Sequence, residues 1–287
     1  MQLLARTPRL LMDNVYQSPS LTPPPSGVDG AKFDLDRALN LGWQSFKGQI
    51  GLGVAYTIVL ALLSVLAVLS CFGILFALPH LAASSAIMGL LMVRGKPELG
   101  DMFRPFRAFG AVLGAWLLIT IVTQLIAMIF TIPYYAVLLQ GVDWSQIQDA
   151  SGGEAFKEIM QQFQKQQQTF SVAKLGTNLI SLLNLPVSLY IGARLMLTYP
   201  LIIERGVPPI EAIQQSLAVT RPFQWPLMGF GFITGVIAGL GILGCCVGIL
   251  FTVPLAFTMH GAAIYQLLGE DTGAPIPGTN SSTQTAV

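Results

Sequence analysis

Charge is what this sequence has least of. Asp, Glu, Lys and Arg together make up 10% of 287 residues, with a formal net charge of +1, where a soluble domain carries about 25%. The shortage is concentrated. Residues 48–93, between Lys47 and Arg94, hold no charged side chain, and neither do residues 222–269, between Arg221 and Glu270. Hydrocarbon does not solvate charge, and about 20 apolar residues cross its core as a helix. Each run is therefore long enough for two crossings joined by a tight hairpin. The near-zero net charge excludes a general electrostatic attraction to nucleic acid. Cysteine is scarce too: Cys71, Cys245 and Cys246 all lie in the apolar runs, and no C-x-x-C pair or zinc spacing is formed. There is no Walker A loop, no H-E-x-x-H, no G-x-S-x-G, and no G-x-G-x-x-G between a strand and a helix. No span carries an Asp or Glu to coordinate a coupling ion, and no soluble stretch is long enough to fold as a catalytic domain. These absences predict a protein that is not an enzyme and has no cofactor and no metal.

What is present is an ordered series of apolar segments. Residues 1–30 contain Pro23-Pro24-Pro25-Ser26-Gly27 and are expected to form a disordered tail. Over 33–46, Leu35, Leu39, Trp43 and Phe46 recur at helical spacing behind Asp34, an N-cap candidate. That pattern predicts a first interfacial amphipathic helix with Trp43 as its anchor. Spans are predicted at about 50–69, 72–93, 109–132, 175–199, 226–244 and 247–268. A polar loop, 141–173, separates the third from the fourth. Within it Phe156, Met160, Phe163 and Phe170 keep a helical register. In the connector 204–221, Pro208-Pro209 suit a helix start, and Ile210, Ile213 and Leu217 mark the apolar face of a second interfacial helix. The tail 270–287 is expected to be disordered. The fold class is thus all-α: a polytopic membrane bundle of six transmembrane helices occupying 31–269, with two interfacial amphipathic helices.

With six crossings, both termini share a side with connectors 94–107 and 204–221. Only Lys157, Lys165 and Lys174 of the 15 Lys and Arg fall on the other side. The positive-inside bias places both termini in the cytoplasm and 141–173 outside. Leu10-Leu11-Met12 is too short for a signal-peptide core, so the first span is expected to act as the targeting signal. An internal repeat is also expected. Cys71-Phe-Gly-Ile-Leu-Phe-Ala-Leu-Pro79 matches Cys246-Val-Gly-Ile-Leu-Phe-Thr-Val-Pro254 at six of nine positions. Both copies sit at the same register of their runs and follow an amphipathic segment. Two spans lie between them, so the repeat is parallel, about an axis normal to the bilayer.

Few residues are candidates for chemistry. His80 and His260 fall within spans, where an ionisable group is a functional hypothesis by default. A neutral histidine bonded to a neighbouring helix is the simpler alternative. Arg194 lies in span four; it either snorkels to headgroups or joins a buried polar site with His260 or Asn184. Asn178 and Gln124 are further candidates for lining a polar cavity. Gly231, Gly235 and Gly239 have small-xxx-small spacing, suited to close helix packing within the chain or against a second subunit. Pro79, Pro133, Pro186 and Pro254 are expected to bend four spans. Cys71 and Cys245 or Cys246 stand at the two external hairpins, where small apolar packing and a disulfide are both open.

Two stretches carry resemblances. Met12-Asp-Asn-Val-Tyr-Gln-Ser-Pro19 is similar to a short N-terminal motif of small bacterial membrane proteins, Met-x-Asn-Pro-Tyr-x-Ser-Pro, with Val15 in place of a proline. It implies Met12 as the translation start. Tyr199-Pro200-Leu-Ile-Ile-Glu204-Arg205-Gly206-Val-Pro-Pro-Ile-Glu211-Ala212-Ile-Gln-Gln-Ser216, with Trp225 before the next span, resembles a family of uncharacterised bacterial multi-pass integral membrane proteins. It is also similar to the membrane domain attached to some glycerophosphodiester phosphodiesterases. The likeness covers about 190–268 and faintly 33–93. The phosphodiesterase catalytic domain has no counterpart here, so its activity and metal are not implied. What is implied is an embedded helical bundle in the bacterial cytoplasmic membrane. The expected role is a non-enzymatic scaffold, or a protein that binds lipids or partners. Its partners would be the lipid bilayer and either a second copy of the chain or another membrane protein. The alternative is a small-molecule or lipid permease with a cavity between the duplicated hairpins.

Overall fold

The structure is a computed structural model that describes residues 31–70, 72–95, 97–140, 157, 160–161 and 172–272. The expected tails, Met12, Cys71 and most of the loop 141–173 lie outside the described residues. So do the side chains of Asn178, Cys245 and Cys246, and with them the disulfide alternative.

Every described element is helical, and there is no strand among the described residues. Helix α1 is Leu35–Gly48, and Asp34 caps it by accepting the Arg37 N–H at 2.9 Å. Helix α2 is Ile50–Leu69. The segment expected as one span over 72–93 is divided at Ala77 into α3, Phe72–Phe76, and α4, Leu78–Val93. Pro79 sits in the first turn of α4; it ends α3 and starts α4, because its ring displaces the preceding residues and it has no N–H to donate. A 3-10 turn, Leu99–Phe103, and the short α5, Arg104–Arg107, lead to α6, Phe109–Gln140. Helix α7 is Val172–Leu195, followed by α8, Thr198–Arg205. Helix α9 is Pro209–Thr220, with Pro209 at its start. Helix α10, Gln224–Leu240, passes through a 3-10 turn, Gly241–Gly244, into α11, Cys245–Leu267.

Five segments are long and apolar enough to cross a bilayer: Ile50–Leu69, Phe109–Ile129, Asn184–Arg205, Pro209–Gly244 and Val247–Leu267. Helix α4 is apolar but has 16 residues, a rise of about 24 Å.

The bundle is built inside out relative to a soluble protein. Its exposed surface is large and apolar, including Leu62, Leu66, Ile121, Ile129, Phe232 and Leu243. Such a surface suits lipid and would drive association in water. The interior uses small residues, among them Ala83, Ser84, Ala115, Ala212, Ala262 and Ala263. In lipid, helices gain little from burying oil against oil, so contact surfaces favour residues that let backbones approach.

Helix α11 is the centre, touching α1, α2, α4 and α10. Gly42 of α1 lies against the Met259 backbone. Gly89 of α4 meets Phe257 and Gly261 of α11 backbone to backbone. Helix α1 therefore packs on the last span through Ala38, Gly42 and Phe46, while Trp43 stays outward. Helix α9 has the opposite arrangement from a soluble amphipathic helix. Its buried stripe is Ala212, Ser216 and Thr220, and Ile210 is 62% exposed.

Candidate functional site

Charge returns at one end of the bundle, where the helices leave their uncharged runs. Arg94 stands just past α4 and Glu270 just past α11, and the packing of these two helices brings the residues together. The Arg94 guanidinium donates to both Glu270 oxygens at 2.9 and 2.7 Å and to Glu204 Oε2 at 2.8 Å. Glu204 also accepts from Arg104 at 3.3 Å, and Arg104 donates to Asp101 at 2.8 Å. A second fork joins Arg37 of α1 to both oxygens of Asp271. Nearby, Gln266 Oε1 accepts the Asp34 N–H at 3.0 Å, and Gln49 donates to the Met92 carbonyl at 2.9 Å. One network thus ties α1, both polar connectors and the C-terminal segment together.

These pairs are only partly solvated. The side chains of Arg94 and Glu204 retain 24% and 20% exposure. The hydrogen bonds that Arg94 donates to Glu270, and then the one it donates to Glu204, raise its pKa above the ordinary value, against the opposing effect of burial. Asp271 does the same for Arg37. A raised folded pKa means the stabilisation is present below the ordinary guanidinium pKa and is lost only at extreme alkaline pH. Both cations therefore stay charged at any physiological pH.

Beside this network is a cavity of about 670 Å³, lined by Glu98, Asp101, Arg104, Arg107, Glu204 and two further residues of α8, Ile202 and Ile203. Gly206 closes the wall. It is left-handed (φ 65°), caps α8 by donating to Ile202 O, and lets Val207 N–H reach Leu201 O, the geometry that glycine adopts without strain. The sequence signal for this cluster was available. Arg94 and Glu270 are opposite charges at the matching exits of two uncharged runs, but nothing local says that the exits meet.

The residues singled out from sequence occupy separate surroundings. His80 is fully buried. Its Nδ1 lies 2.7 Å from Phe76 O and its Nε2 3.3 Å from Phe109 O. Carbonyls only accept, so a ring N–H donates to Phe76 O, the nearer of the two. The ring stacks on Phe106 and Phe109 with centroids 4.8 and 4.4 Å away. His80 thereby pins α3 and α4 to the start of α6.

Arg194 is 9% exposed and sits at the break between α7 and α8. Its guanidinium donates to Thr220 Oγ1 at 3.2 Å, and its Nε has no partner among the described residues. The break leaves main-chain groups unpaired, and α9 supplies their partners. Ser216 Oγ donates to Arg194 O at 2.7 Å and accepts the Leu197 N–H at 3.3 Å. Thr220 donates back to Ser216 O at 2.7 Å. Ala212 is the small residue that lets α9 come this close. Ser216 is expected to be costly to remove: Ser216→Ala should lower stability by about 1–3 kcal/mol, the penalty for stranding buried polar groups. Ser188→Ala, whose exposed hydroxyl only bonds its own helix at Asn184 O, should be near neutral. Thermal unfolding of the two variants in detergent checks the difference.

His260 donates from Nδ1 to Ala256 O at 2.9 Å and meets the Phe230 ring edge-on. It lines a cleft of about 250 Å³ with Leu185, Ser188, Leu189, Met196 and Phe230. Asn184 and Gln124 are exposed on the bundle surface. His80, Arg194 and Asn184 do not line the cleft that His260 lines. Of the glycine stripe, Gly231 lies 3.5 Å from a Leu189 methyl carbon, measured from the position of an added Cβ, while Gly235 and Gly239 face open space. Among the described residues, no group of three or more His, Cys, Asp or Glu side chains is placed to hold a metal ion.

Compared with known proteins, the chain matches no family model, no curated protein and no solved structure.

Proposed function

We propose that this is a six-span protein of the bacterial cytoplasmic membrane with both termini cytoplasmic, and that it works by holding lipids or partner proteins, without catalysis. The observation that carries the role is where the polar side chains go. His80, Arg194, Ser216 and Thr220 are engaged with backbone and with one another, holding helices together. The buried clusters at the centre are Leu, Ile, Met, Phe and small side chains. Two cavities among the described residues lie at the charged end and between α7, α10 and α11. A carrier needs polar groups free to meet a solute at the membrane midplane.

The ion pairs support the topology. Arg37, Arg94, Arg104, Glu204, Glu270 and Asp271 come together, so α1, both connectors and the C-terminal segment share one face. That requires an even number of crossings between them, and α4 supplies the sixth. A parallel duplication is supported by element order: α1, α2, α4 and α9, α10, α11 each form a short helix followed by an apolar hairpin. Pro79 and Pro254 align in the sequence repeat, although Pro79 opens α4 after a break and Pro254 lies inside the unbroken α11. The resemblance of Tyr199–Ser216 to the membrane protein family described above fits the same reading. In it Glu204 is the ion-pair hub, Gly206 the cap and Ser216 the mend of the broken span.

Native mass spectrometry in mild detergent tests this. The expected result is a chain that retains phospholipid or a protein partner, together with proteoliposomes that take up no solute. Saturable solute uptake would establish the permease reading in its place.

A further inference from the structure

We propose that the cavity of about 670 Å³ at the charged end binds a phosphodiester–ammonium zwitterion, the headgroup chemistry of an aminophospholipid. This rests on the lipid-holding reading and specifies where the lipid headgroup sits.

The argument starts from charge. Three carboxylates, of Glu98, Asp101 and Glu204, and two guanidinium groups, of Arg104 and Arg107, face one cavity. A simple anion would meet the carboxylates, and a simple cation would meet the guanidinium groups. A ligand carrying both signs satisfies the two sets. The two roles also fall on different residues. Arg104 and Glu204 are committed to each other and to Asp101 and Arg94. Arg107 is exposed and makes no ion pair among the described residues. Its planar fork suits phosphate oxygens. Glu98 is exposed and serves as the cap of the 3-10 turn, leaving a carboxylate oxygen for an ammonium group.

The setting favours a lipid over a free solute. Leu99, Phe103 and Phe106 of the same connector and Phe109, the first residue of the apolar helix α6, are exposed. Aromatic side chains at this level dip into the headgroup and acyl boundary, so a headgroup in the cavity has a greasy surface beside it for its chains. The volume is within the range of small-molecule sites, about 300–1,000 Å³.

The experiment uses the full chain, delipidated in mild detergent and titrated with dioleoyl phosphatidylethanolamine or dioleoyl phosphatidylglycerol under native mass spectrometry. Arg107→Gln should weaken phosphatidylethanolamine binding about tenfold, the scale of one lost charge-assisted contact. Glu98→Gln, which keeps an oxygen for the cap, should erase the preference for phosphatidylethanolamine over phosphatidylglycerol. Arg205→Gln, on an exposed arginine that does not line the cavity, should leave both unchanged. Matching unfolding midpoints show that the variants are folded. Titration with glycerophosphoethanolamine, the headgroup without acyl chains, separates the sources. Arg107-dependent binding of that probe assigns the site to a soluble zwitterion, and failure to bind assigns it to the lipid. Wild-type binding in both Arg107→Gln and Glu98→Gln overturns the site while leaving lipid holding elsewhere intact. A preference for phosphatidylglycerol that depends on Arg107 overturns the zwitterion assignment. A wild-type chain that retains no lipid at all fails the broader reading first.

Discussion

Gly261→Ala is expected to cost the protein its fold at the centre of the bundle. A Cβ at Gly261 would stand 2.5 Å from Leu90 N, and one at Gly89 would stand 2.8 Å from the Phe257 carbonyl carbon and 3.2 Å from Gly261 N. The clashing atoms are main chain on both sides, so no rotamer change relieves them. The two helices must separate, and α11 also carries α1, α2 and α10. Overpacking a core side chain costs about 1–3 kcal/mol, and forcing two backbones apart belongs at or above ~3 kcal/mol by the same logic. Gly89→Ala should behave alike. Gly239→Ala, with nothing within 4 Å of the added carbon, should be neutral or stabilising by up to about 1 kcal/mol through helix propensity. The readout is the unfolding midpoint in detergent. Equal midpoints for Gly261→Ala and Gly239→Ala would mean that α4 and α11 do not cross at this point.

Arg94→Gln is the second large effect. It removes a forked contact to Glu270 and a further one to Glu204, leaving two carboxylates at a partly desolvated site with Arg104 alone to offset them. Breaking a buried pair costs about 3–5 kcal/mol. Since these side chains keep 20–31% exposure, about 2 kcal/mol is the reasonable expectation after screening. For a protein of this size that is an unfolding shift of about 4–8 °C. Arg94→Lys should recover only part, because a compact ammonium lacks the planar fork that grips both Glu270 oxygens while a third N–H reaches Glu204. The gap between wild type and Arg94→Gln should narrow as salt is raised. A gap that does not respond to salt would place the effect in packing and not in charge.

The broad class of this protein was legible because membrane solvation acts residue by residue. The uncharged runs are helical, and Ile50–Leu69 begins and ends where hydropathy placed it. The Asp34 cap and the Pro209 start were equally local, since each depends on the first helical turn alone. Other expectations met competing forces. The run 72–93 is divided at Ala77 because Pro79 interrupts its hydrogen bonds. Span four ends early at Leu195 and resumes at Thr198, a break tolerable because Ser216 and Thr220 re-pair its backbone. The motif Glu204 to Ser216 stood out in sequence, yet its parts serve three separate purposes in the fold.

Sequence alone determined that this chain is a set of apolar helices, because that follows from the cost of burying charge at each position. Tertiary structure alone decided which charges meet and which backbones touch. Arg94 finds Glu204 and Glu270 across 110 and 176 residues, and Gly89 finds Gly261, through helix crossings that no local period encodes. Partner choice is a long-range property: it depends on how small residues let helices approach, and that is settled only when all of them are packed at once.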